Sequence, residues 1–373
     1  MIYFDNAATS FPKPQSVINS VKNALENYSA NPGRSGHSAS VKTAEKIYGV
    51  REKTANFFGY DKPENVVFTT NCTQAVNFVL KGILDKGDHI LISNLEHNAV
   101  ARPVNKLKSQ GVEVTVFDAF AQDIERELDS LVTPKTKMVF CLHASNVCGK
   151  VLPIEKIGDF CKKRGILFGV DAAQSGGVLP IDMKKFSIDF LCVASHKGLF
   201  APMGTGILIA DYPLKQTILE GGTGSNSISL EQGNDMPEML ESGTVNVPGI
   251  LGISAGIDFV KKRGIDNIRK HENALCDRLF SRLYGHKKIR LIASREKIRV
   301  PVVSFVVQGV DSNAVAEFLN NKNIAVRAGL HCSPMAHKTL GTLDTGTVRF
   351  SPGITSDERQ VDYLCRVLFD AFR

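Results

Sequence analysis

Short apolar segments alternate with amphipathic ones over roughly the first two thirds of the chain. The apolar segments are rich in valine, isoleucine and phenylalanine, and they predict strands at 66–68, 89–92, 112–117, 138–141, 166–170, 190–193 and 206–209. Apolar residues at helical spacing predict helices at 14–28, 39–58, 73–84, 97–110, 123–131 and 153–164. This alternation predicts an α/β fold with a mainly parallel sheet covered by helices on both faces.

The pattern changes from about residue 247 onwards. A long helical region at 248–285 precedes predicted strands near 288–293, 302–307 and 324–326, with helices at 312–321 and 357–371. We therefore predict a large domain at 15–250 and a smaller α+β domain at 251–373, which also takes in residues 1–14. The segment 221–243 is rich in glycine, serine and asparagine and is predicted to be a loop region.

Composition limits the classes of function. Of the 373 residues, 43% are hydrophobic and 22% charged, which is typical of a globular protein. The net charge of +7 is spread along the chain, so we expect no nucleic-acid partner. No apolar run approaches the roughly 20 residues that span a bilayer, and residues 1–5 do not begin a signal peptide, so we expect a cytoplasmic protein without a membrane contact. The eight cysteines form no CxxC pair, which favours reduced thiols and no structural metal.

A lysine and an acid each follow a predicted buried strand. Lys197 closes the sequence Ser195-His196-Lys197 after the strand at 190–193, and Asp171 follows the strand at 166–170. The carboxyl ends of parallel strands meet at one edge of a sheet, where ligands bind. Pyridoxal phosphate needs a lysine for its Schiff base and a carboxylate that keeps its pyridine nitrogen protonated. Each residue alone could be a solvated charge, but together they favour this cofactor.

Other polar residues are predicted at the same edge. Cys72 and Thr73 begin the helix after the first large-domain strand, where free backbone N–H groups could hold a phosphate or serve an ordinary N-cap. His97 begins the next helix and could stack on a planar cofactor or be structural. Asn146 could donate to the cofactor ring or substrate, or be a turn residue.

A second candidate cluster lies in the small domain. Cys332 follows His331 in a segment containing glycine, serine and proline, which predicts a loop. A cysteine near His331, Arg327 and Arg349 is a candidate for activation as a thiolate, and an arginine fork suits a substrate carboxylate. The alternative is an incidental loop thiol.

The motifs taken together resemble the class V aminotransferase family of fold type I pyridoxal phosphate enzymes. Within it, they resemble the cysteine desulfurase and selenocysteine lyase branch. The resemblance covers nearly the whole chain, through the motifs at 4–9, 31–37, 96–98, 145–149, 171–174, 195–197 and Arg349. The Arg-x-Gly-x-His-Cys form at 327–332 resembles the branch with a short cysteine loop, whose members mobilise sulfur and hand it to a partner protein.

The resemblance implies a role for each matching residue. Lys197 would hold the cofactor and move protons, Asp171 would pair with the pyridine nitrogen, Gln174 would bond the ring hydroxyl, and His97 would stack on the ring. Thr73, the backbone at Cys72, and His196 would hold the phosphate, with Thr244 reaching in from a second subunit. Asn146 and Arg349 would bind the substrate carboxylate, with Arg34 or Arg327 nearby, and Cys332 would attack the substrate sulfur.

One position departs from the family. The residue two before His196 usually carries a hydroxyl that bonds the phosphate, but here it is Ala194. Either Ser195 substitutes for it or the phosphate has one ligand fewer.

The resemblance implies conversion of L-cysteine to L-alanine with a persulfide on Cys332, in a homodimer that passes sulfur to an acceptor, as in iron–sulfur cluster assembly. Three alternatives stay open: a selenocysteine lyase acting on L-selenocysteine, an aminotransferase or other β-lyase on the same scaffold, and a non-catalytic pyridoxal phosphate sensor or sulfur-carrier docking protein.

Overall fold

The strands and helices follow the predicted alternation. A computed structural model of the protein describes residues 1–33, 35–224 and 228–372. Its strands are β1 (Ile2–Tyr3), β2 (Val66–Thr69), β3 (His89–Ser93), β4 (Glu113–Phe117), β5 (Thr136–Leu142), β6 (Leu167–Asp171), β7 (Phe190–Ala194), β8 (Gly206–Ala210), β9 (Ile289–Ile292), β10 (Val303–Val307), β11 (Ile324–Ala325), β12 (Arg327–Gly329) and β13 (Thr347–Phe350). Its α-helices are α1 (Gln15–Asn27), α2 (Ser38–Phe57), α3 (Cys72–Ile83), α4 (Asn98–Ser109), α5 (Ile124–Leu131), α6 (Ile154–Arg164), α7 (Val247–Arg263), α8 (Ile265–Leu283), α9 (Ser312–Asn320), α10 (Pro334–Thr339) and α11 (Glu358–Ala371).

A seven-stranded sheet forms the centre of the larger part, in the order β2-β8-β7-β6-β5-β3-β4. Every pairing is parallel except the two made by β8, which runs antiparallel to β2 and β7. Strands β2, β3, β6, β7 and β8 are buried along their whole length because helices cover both faces of the sheet. The predicted α/β fold with a mainly parallel sheet is confirmed.

Side chains on the central strands alternate between two apolar cores. On β7, Leu191 and Val193 belong to the core that includes α2, α6 and α7, whereas Cys192 and Ala194 belong to the core beneath α3 and α4. This period of two follows from the pleat of the strand. It therefore determines which strand-end side chains face the α3 side of the sheet.

The C-terminal part is built on a four-stranded antiparallel sheet in the order β12-β13-β10-β9. Helices α8, α9 and α11 supply leucines and valines to a separate core around Phe305 and Phe350, and Phe4 from the N-terminus joins it. Strand β1 pairs in parallel with β11, so the N-terminal segment is tied to this part of the chain. The division into domains at residue 250 stays a prediction.

The structure differs from the predicted elements mainly in the C-terminal part. The helical region at 248–285 is two helices that meet at Gly264, whose φ of 81° interrupts the first helix. Helix α7 crosses the predicted boundary and packs in the same core as α2. The short elements β1, β12, β13 and α10 were not predicted, because segments of two to six residues carry little periodic signal.

Candidate active site

The carboxyl ends of the central strands surround a cavity of about 220 Å³ on the α3 side of the sheet. Parallel strands and the helices that follow them converge there, as expected for this kind of sheet. The structure brings eight of the predicted residues into the lining of this cavity: Cys72, Thr73, His97, Asn146, Asp171, Gln174, His196 and Lys197.

Lys197 follows the end of β7, and Asp171 is the last residue of the neighbouring strand β6. Burial lowers the pKa of the Lys197 amine, and the nearby Asp171 carboxylate offsets part of that shift. A lowered pKa favours the neutral amine, which is the nucleophilic form. Asp171 is 4% exposed, and its Oδ1 accepts a hydrogen bond of 2.8 Å from the backbone N–H of Ala173. This bond fixes the carboxylate so that it faces the cavity.

The Cys72 thiol is a further neighbour of Asp171. Its Sγ lies 3.5 Å from Asp171 Oδ1 and donates to it. Burial, followed by the charge of Asp171, raises the pKa of Cys72 well above the ordinary range, so the group stays a thiol. Cys72 thus contributes a neutral donor to this carboxylate in addition to its backbone at the start of α3.

One end of the cavity is suited to an anion. Asn71 caps α3 by accepting from the backbone N–H of Gln74, which leaves the first N–H groups of the helix, those of Cys72 and Thr73, without intrahelical acceptors. His196 Nδ1 is buried without a hydrogen-bond partner in the described part of the chain. Burial lowers the pKa of His196 to about 4, so its imidazole is neutral at neutral pH and can serve as a donor. Helix N–H groups and this imidazole together fit a phosphate.

Ser195 lies outside this arrangement. Ala194 lines the cavity, and Ser195, the next residue, is fully buried with its Oγ unpartnered among the described residues. Ser195 follows the end of β7 in a turn and is not part of the cavity lining. The structure therefore does not place the Ser195 hydroxyl where Ala194 lacks one.

His97 caps α4 and presents a neutral ring to the cavity. Its Nδ1 accepts a 3.0 Å hydrogen bond from the backbone N–H of Ala99, which leaves the proton of the neutral ring on Nε2. Burial lowers the pKa of His97 to about 4. Gln174 donates from Nε2 to the backbone oxygen of Ala7 at 3.0 Å, and this bond orients its remaining amide oxygen.

Arg349 is 1% exposed and lies beside the cavity rather than in its lining. Its Nη2 donates to Asp5 Oδ1 at 2.7 Å, and its Nη1 donates to the backbone oxygen of Asn146 at 3.2 Å. Its Nε is buried without a partner in the described part of the chain. An orphaned guanidinium donor next to Asn146 is suited to a small carboxylate ligand.

Cys332 lies in the loop between β12 and α10. All eight cysteines fall within the described residues, and seven are buried whereas Cys332 is exposed. Arg327 Nη2 lies 3.5 Å from Cys332 Sγ, so a cationic donor accompanies this thiol. The backbone oxygen of Cys332 accepts a 2.7 Å bond from the N–H of Asn98, the residue after His97, which ties the loop to the edge of the cavity.

The structure does not place a charged His331 beside Cys332. His331 is 2% exposed, and its Nε2 is 2.9 Å from Thr347 Oγ1. Burial, reinforced by Arg349, lowers the pKa of His331 to about 2, so the ring is neutral at any physiological pH. Arg327 is the cation that the structure places beside the thiol.

The structure of a single copy of the chain does not place Thr244 in the site. Thr244 is exposed and lines separate grooves that also contain Glu241, so one copy of the chain does not bring it to the cavity. Arg34 lies outside the described residues. Among the described residues, no group of three or more His, Cys, Asp or Glu side chains could hold a metal ion, and no helix is long and apolar enough to cross a membrane.

Asp5 and Ser333 contribute to the site and were not assigned roles from the sequence. Asp5 pairs with Arg349 across 344 positions of the chain, and Ser333 donates to Asn146 across 187. Asp5 belongs to the motif at 4–9 that carries the family resemblance, but nothing in that motif indicated its partner. Nothing in the sequence linked Ser333 to Asn146.

Comparison with known proteins identifies the family. The family model described as Aminotransferase class-V matches residues 2–364, so the chain belongs to the class V aminotransferases, as predicted. A protein of Borreliella burgdorferi named "Probable cysteine desulfurase" is 33% identical over 353 residues, which cover 90% of this chain and 83% of that one. A protein of Methanothermobacter thermautotrophicus with the same name is 32% identical over 380 residues, covering 98% of this chain and 94% of the relative.

Solved structures agree with these relatives. The apo structure of a cysteine desulfurase from Thermococcus onnurineus superimposes with a TM-score of 0.90 at 31% identity, covering 100% of this chain and 94% of that one. The cysteine desulfurase CsdA from Escherichia coli gives a TM-score of 0.88 at 26% identity, covering 99% and 94%. The predicted resemblance to the cysteine desulfurase branch is confirmed.

Proposed function

We propose that this protein is a pyridoxal phosphate-dependent cysteine desulfurase that converts L-cysteine to L-alanine and retains the sulfur as a persulfide on Cys332. The observation that carries the proposal is the arrangement of Lys197 and Asp171 in one cavity, with the exposed Cys332 tied to its edge through Asn98. The names of the relatives support the same activity.

The residues present fit pyridoxal phosphate. The free N–H groups at the start of α3 and the orphaned His196 Nδ1 would hold its phosphate, Asp171 would face its pyridine nitrogen, and Gln174 its ring hydroxyl. Lys197, whose pKa burial lowers, would attach it covalently. When bound, the cofactor supplies an electron sink for the pair released at the substrate α-carbon.

The chain's own groups would carry the remaining chemistry. Arg349 Nε and Asn146 would bind the substrate carboxylate, and the Lys197 amine would move protons at the substrate carbons. The Cys332 thiolate would attack the substrate sulfur, so that an S–S bond forms as the C–S bond breaks. The electron pair of that C–S bond goes to the substrate β-carbon, which takes up a proton and becomes the methyl group of alanine.

The proposal includes partners that the family resemblance implies. A homodimer would bring Thr244 of a second copy to the phosphate, and an acceptor protein would take the sulfur from the exposed Cys332. The free thiols support a reducing compartment, so we propose that the protein acts in the cytoplasm.

Mass spectrometry of the Cys332 peptide tests the proposal. After incubation of the loaded protein with L-cysteine and no reductant, this peptide should be one sulfur atom heavier, and alanine should appear in equal amount. A Cys276→Ala variant, which removes a buried thiol of α8, is the control and should behave as the native protein does. Alanine formation without added sulfur on Cys332 would contradict the proposed route.

A further inference from the structure

The loop that carries Cys332 has an unusual backbone. His331 and Cys332 have φ values of 49° and 57°, so two consecutive residues that are not glycine occupy the left-handed region. This region is costly for a residue with a Cβ, and it persists only where surrounding contacts impose it. The contacts that hold this loop therefore determine where the Cys332 thiol lies.

Asn146 makes two of these contacts with its side chain. Its Nδ2 donates to the backbone oxygen of His331 at 2.8 Å, and its Oδ1 accepts from Ser333 Oγ at 2.8 Å. A carbonyl oxygen can only accept, so the amide nitrogen must face His331 and the amide oxygen must face Ser333. The His331 carbonyl thereby selects the orientation of the Asn146 amide, and the Ser333 hydroxyl holds the amide in it by donating to Oδ1.

The same amide also faces the cavity. Asn146 is 5% exposed and lines the cavity, and its backbone oxygen accepts from Arg349. An amide nitrogen carries two protons, and the bond to His331 uses one of them. The second N–H remains for a ligand in the cavity, so one side chain can bind the substrate carboxylate and the cysteine loop at the same time.

We propose that Ser333 is a positioning residue for the sulfur-transfer step. Its hydroxyl holds the Asn146 amide in the one orientation that binds both the Cys332 loop and the substrate, and it thereby sets the distance from the Cys332 thiol to the substrate sulfur. This inference rests on the proposed desulfurase function. Ser333 itself is fully buried at the end of the loop, and its hydroxyl donates to Asn146 Oδ1 and lies 3.4 Å from the backbone oxygen of His331.

A Ser333→Ala variant tests the inference with two substrates. With L-cysteine, kcat should fall about tenfold, the scale of one lost buried hydrogen bond, whereas KM should change less than about twofold. With β-chloro-L-alanine, which carries its own leaving group and needs no attacking thiol, kcat should be unchanged. Ser356→Ala is the control, because it removes a similarly buried hydroxyl of the C-terminal part that accepts only from the backbone of Gly353.

A second variant and a second measurement guard against misfolding. Ser333→Thr keeps the hydroxyl that donates to Asn146, so it should retain the native kcat with L-cysteine that Ser333→Ala loses. Hydrogen exchange without any substrate should be at least about tenfold faster at residues 330–333 in Ser333→Ala than in the control. This readout separates the two proposals, because it tests the role of Ser333 even if native protein forms no alanine from L-cysteine.

Three results would overturn the positioning role. Equal losses with L-cysteine and β-chloro-L-alanine would show that Ser333 supports the cavity as a whole. Kinetics that match the Ser356→Ala control would show that the hydroxyl has no role in sulfur transfer. Unchanged exchange at residues 330–333 would show that it does not hold the loop.

Discussion

Replacing Glu272 with glutamine should stabilise the protein, and the gain should increase with pH. Glu272 lies on α8, is 6% exposed, and lines a cavity of about 50 Å³ together with Ser10, Lys197 and Val302. Among the described residues, no hydrogen bond or ion pair compensates its carboxyl. Burial without compensation raises its pKa to about 8, from an ordinary value of 4.5.

The sign and size of the effect follow from proton linkage. The folded state binds the Glu272 proton more tightly than the unfolded chain does, so its contribution to stability is constant below the ordinary pKa. It is lost progressively as the pH rises towards 8, and the loss is complete above that value. Roughly 2.5 pH units between pH 5.5 and 8, at about 1.4 kcal/mol each, give about 3.5 kcal/mol, and half-ionisation of the folded group at pH 8 reduces this to about 3 kcal/mol.

Urea unfolding at about pH 5.5 and about pH 8 measures this difference. Each transition is monitored with two spectroscopic probes to check for two-state behaviour. The native protein should lose about 3 kcal/mol more than Glu272→Gln between the two pH values. Glu317→Gln, which replaces an exposed carboxyl on α9, is the matched control. If the advantage of Glu272→Gln over the native protein is the same at both pH values, the carboxyl is not buried in its protonated form and the reasoning fails.

Three further substitutions test two residues of the site and one buried ion pair. Asp171→Asn should lower turnover at least about 100-fold in steady-state assays while a borohydride-reduced cofactor adduct still forms on Lys197, because only the charge near the pyridine nitrogen is lost. Arg349→Lys should raise the KM for L-cysteine about tenfold with a smaller change in kcat, because lysine lacks the guanidinium fork. Glu241→Ala should cost about 3–5 kcal/mol in urea unfolding, because it leaves Arg51, 6% exposed, as an uncompensated buried charge.

Each of these has a result that would contradict it. Turnover of Asp171→Asn close to native would remove the carboxylate from the mechanism. A change confined to kcat in Arg349→Lys would mean that this residue does not bind the substrate carboxylate. If Glu241→Ala lowers the free energy of unfolding no more than Glu358→Ala, which breaks an exposed ion pair, burial of the Arg51–Glu241 pair does not affect stability.

The fold of the larger part was predictable because its strands are apolar throughout and its helices are long and periodic. Strands β6 and β7 have no polar residue before their ends, so the change to Asp171 and to the segment at 195–197 marks the edge of the sheet. Helix–strand alternation then places both polar segments at the same edge. Eight predicted residues meet in one cavity for this reason.

The remaining features depend on contacts between distant parts of the chain. The pairing of Asp5 with Arg349 requires β1 to pair with β11. A two-residue strand has no periodic pattern from which this pairing could be predicted. Sequence proximity also could not show whether His331 is charged, since adjacency to Cys332 says nothing about burial against Thr347. Likewise, the sequence left open whether Ser195 replaces the hydroxyl missing at Ala194, because the turn after β7 that buries this hydroxyl outside the cavity lining has no periodic signal.

The most direct test of the central claim is the measurement of alanine and sulfide released from L-cysteine in the presence of a reductant, for native protein and for Cys332→Ala. The account predicts equal amounts of both products from the native protein and neither from the variant, while both proteins retain the cofactor on Lys197. Equal alanine formation by the two proteins would contradict the account, because Cys332 would then take no part in sulfur transfer.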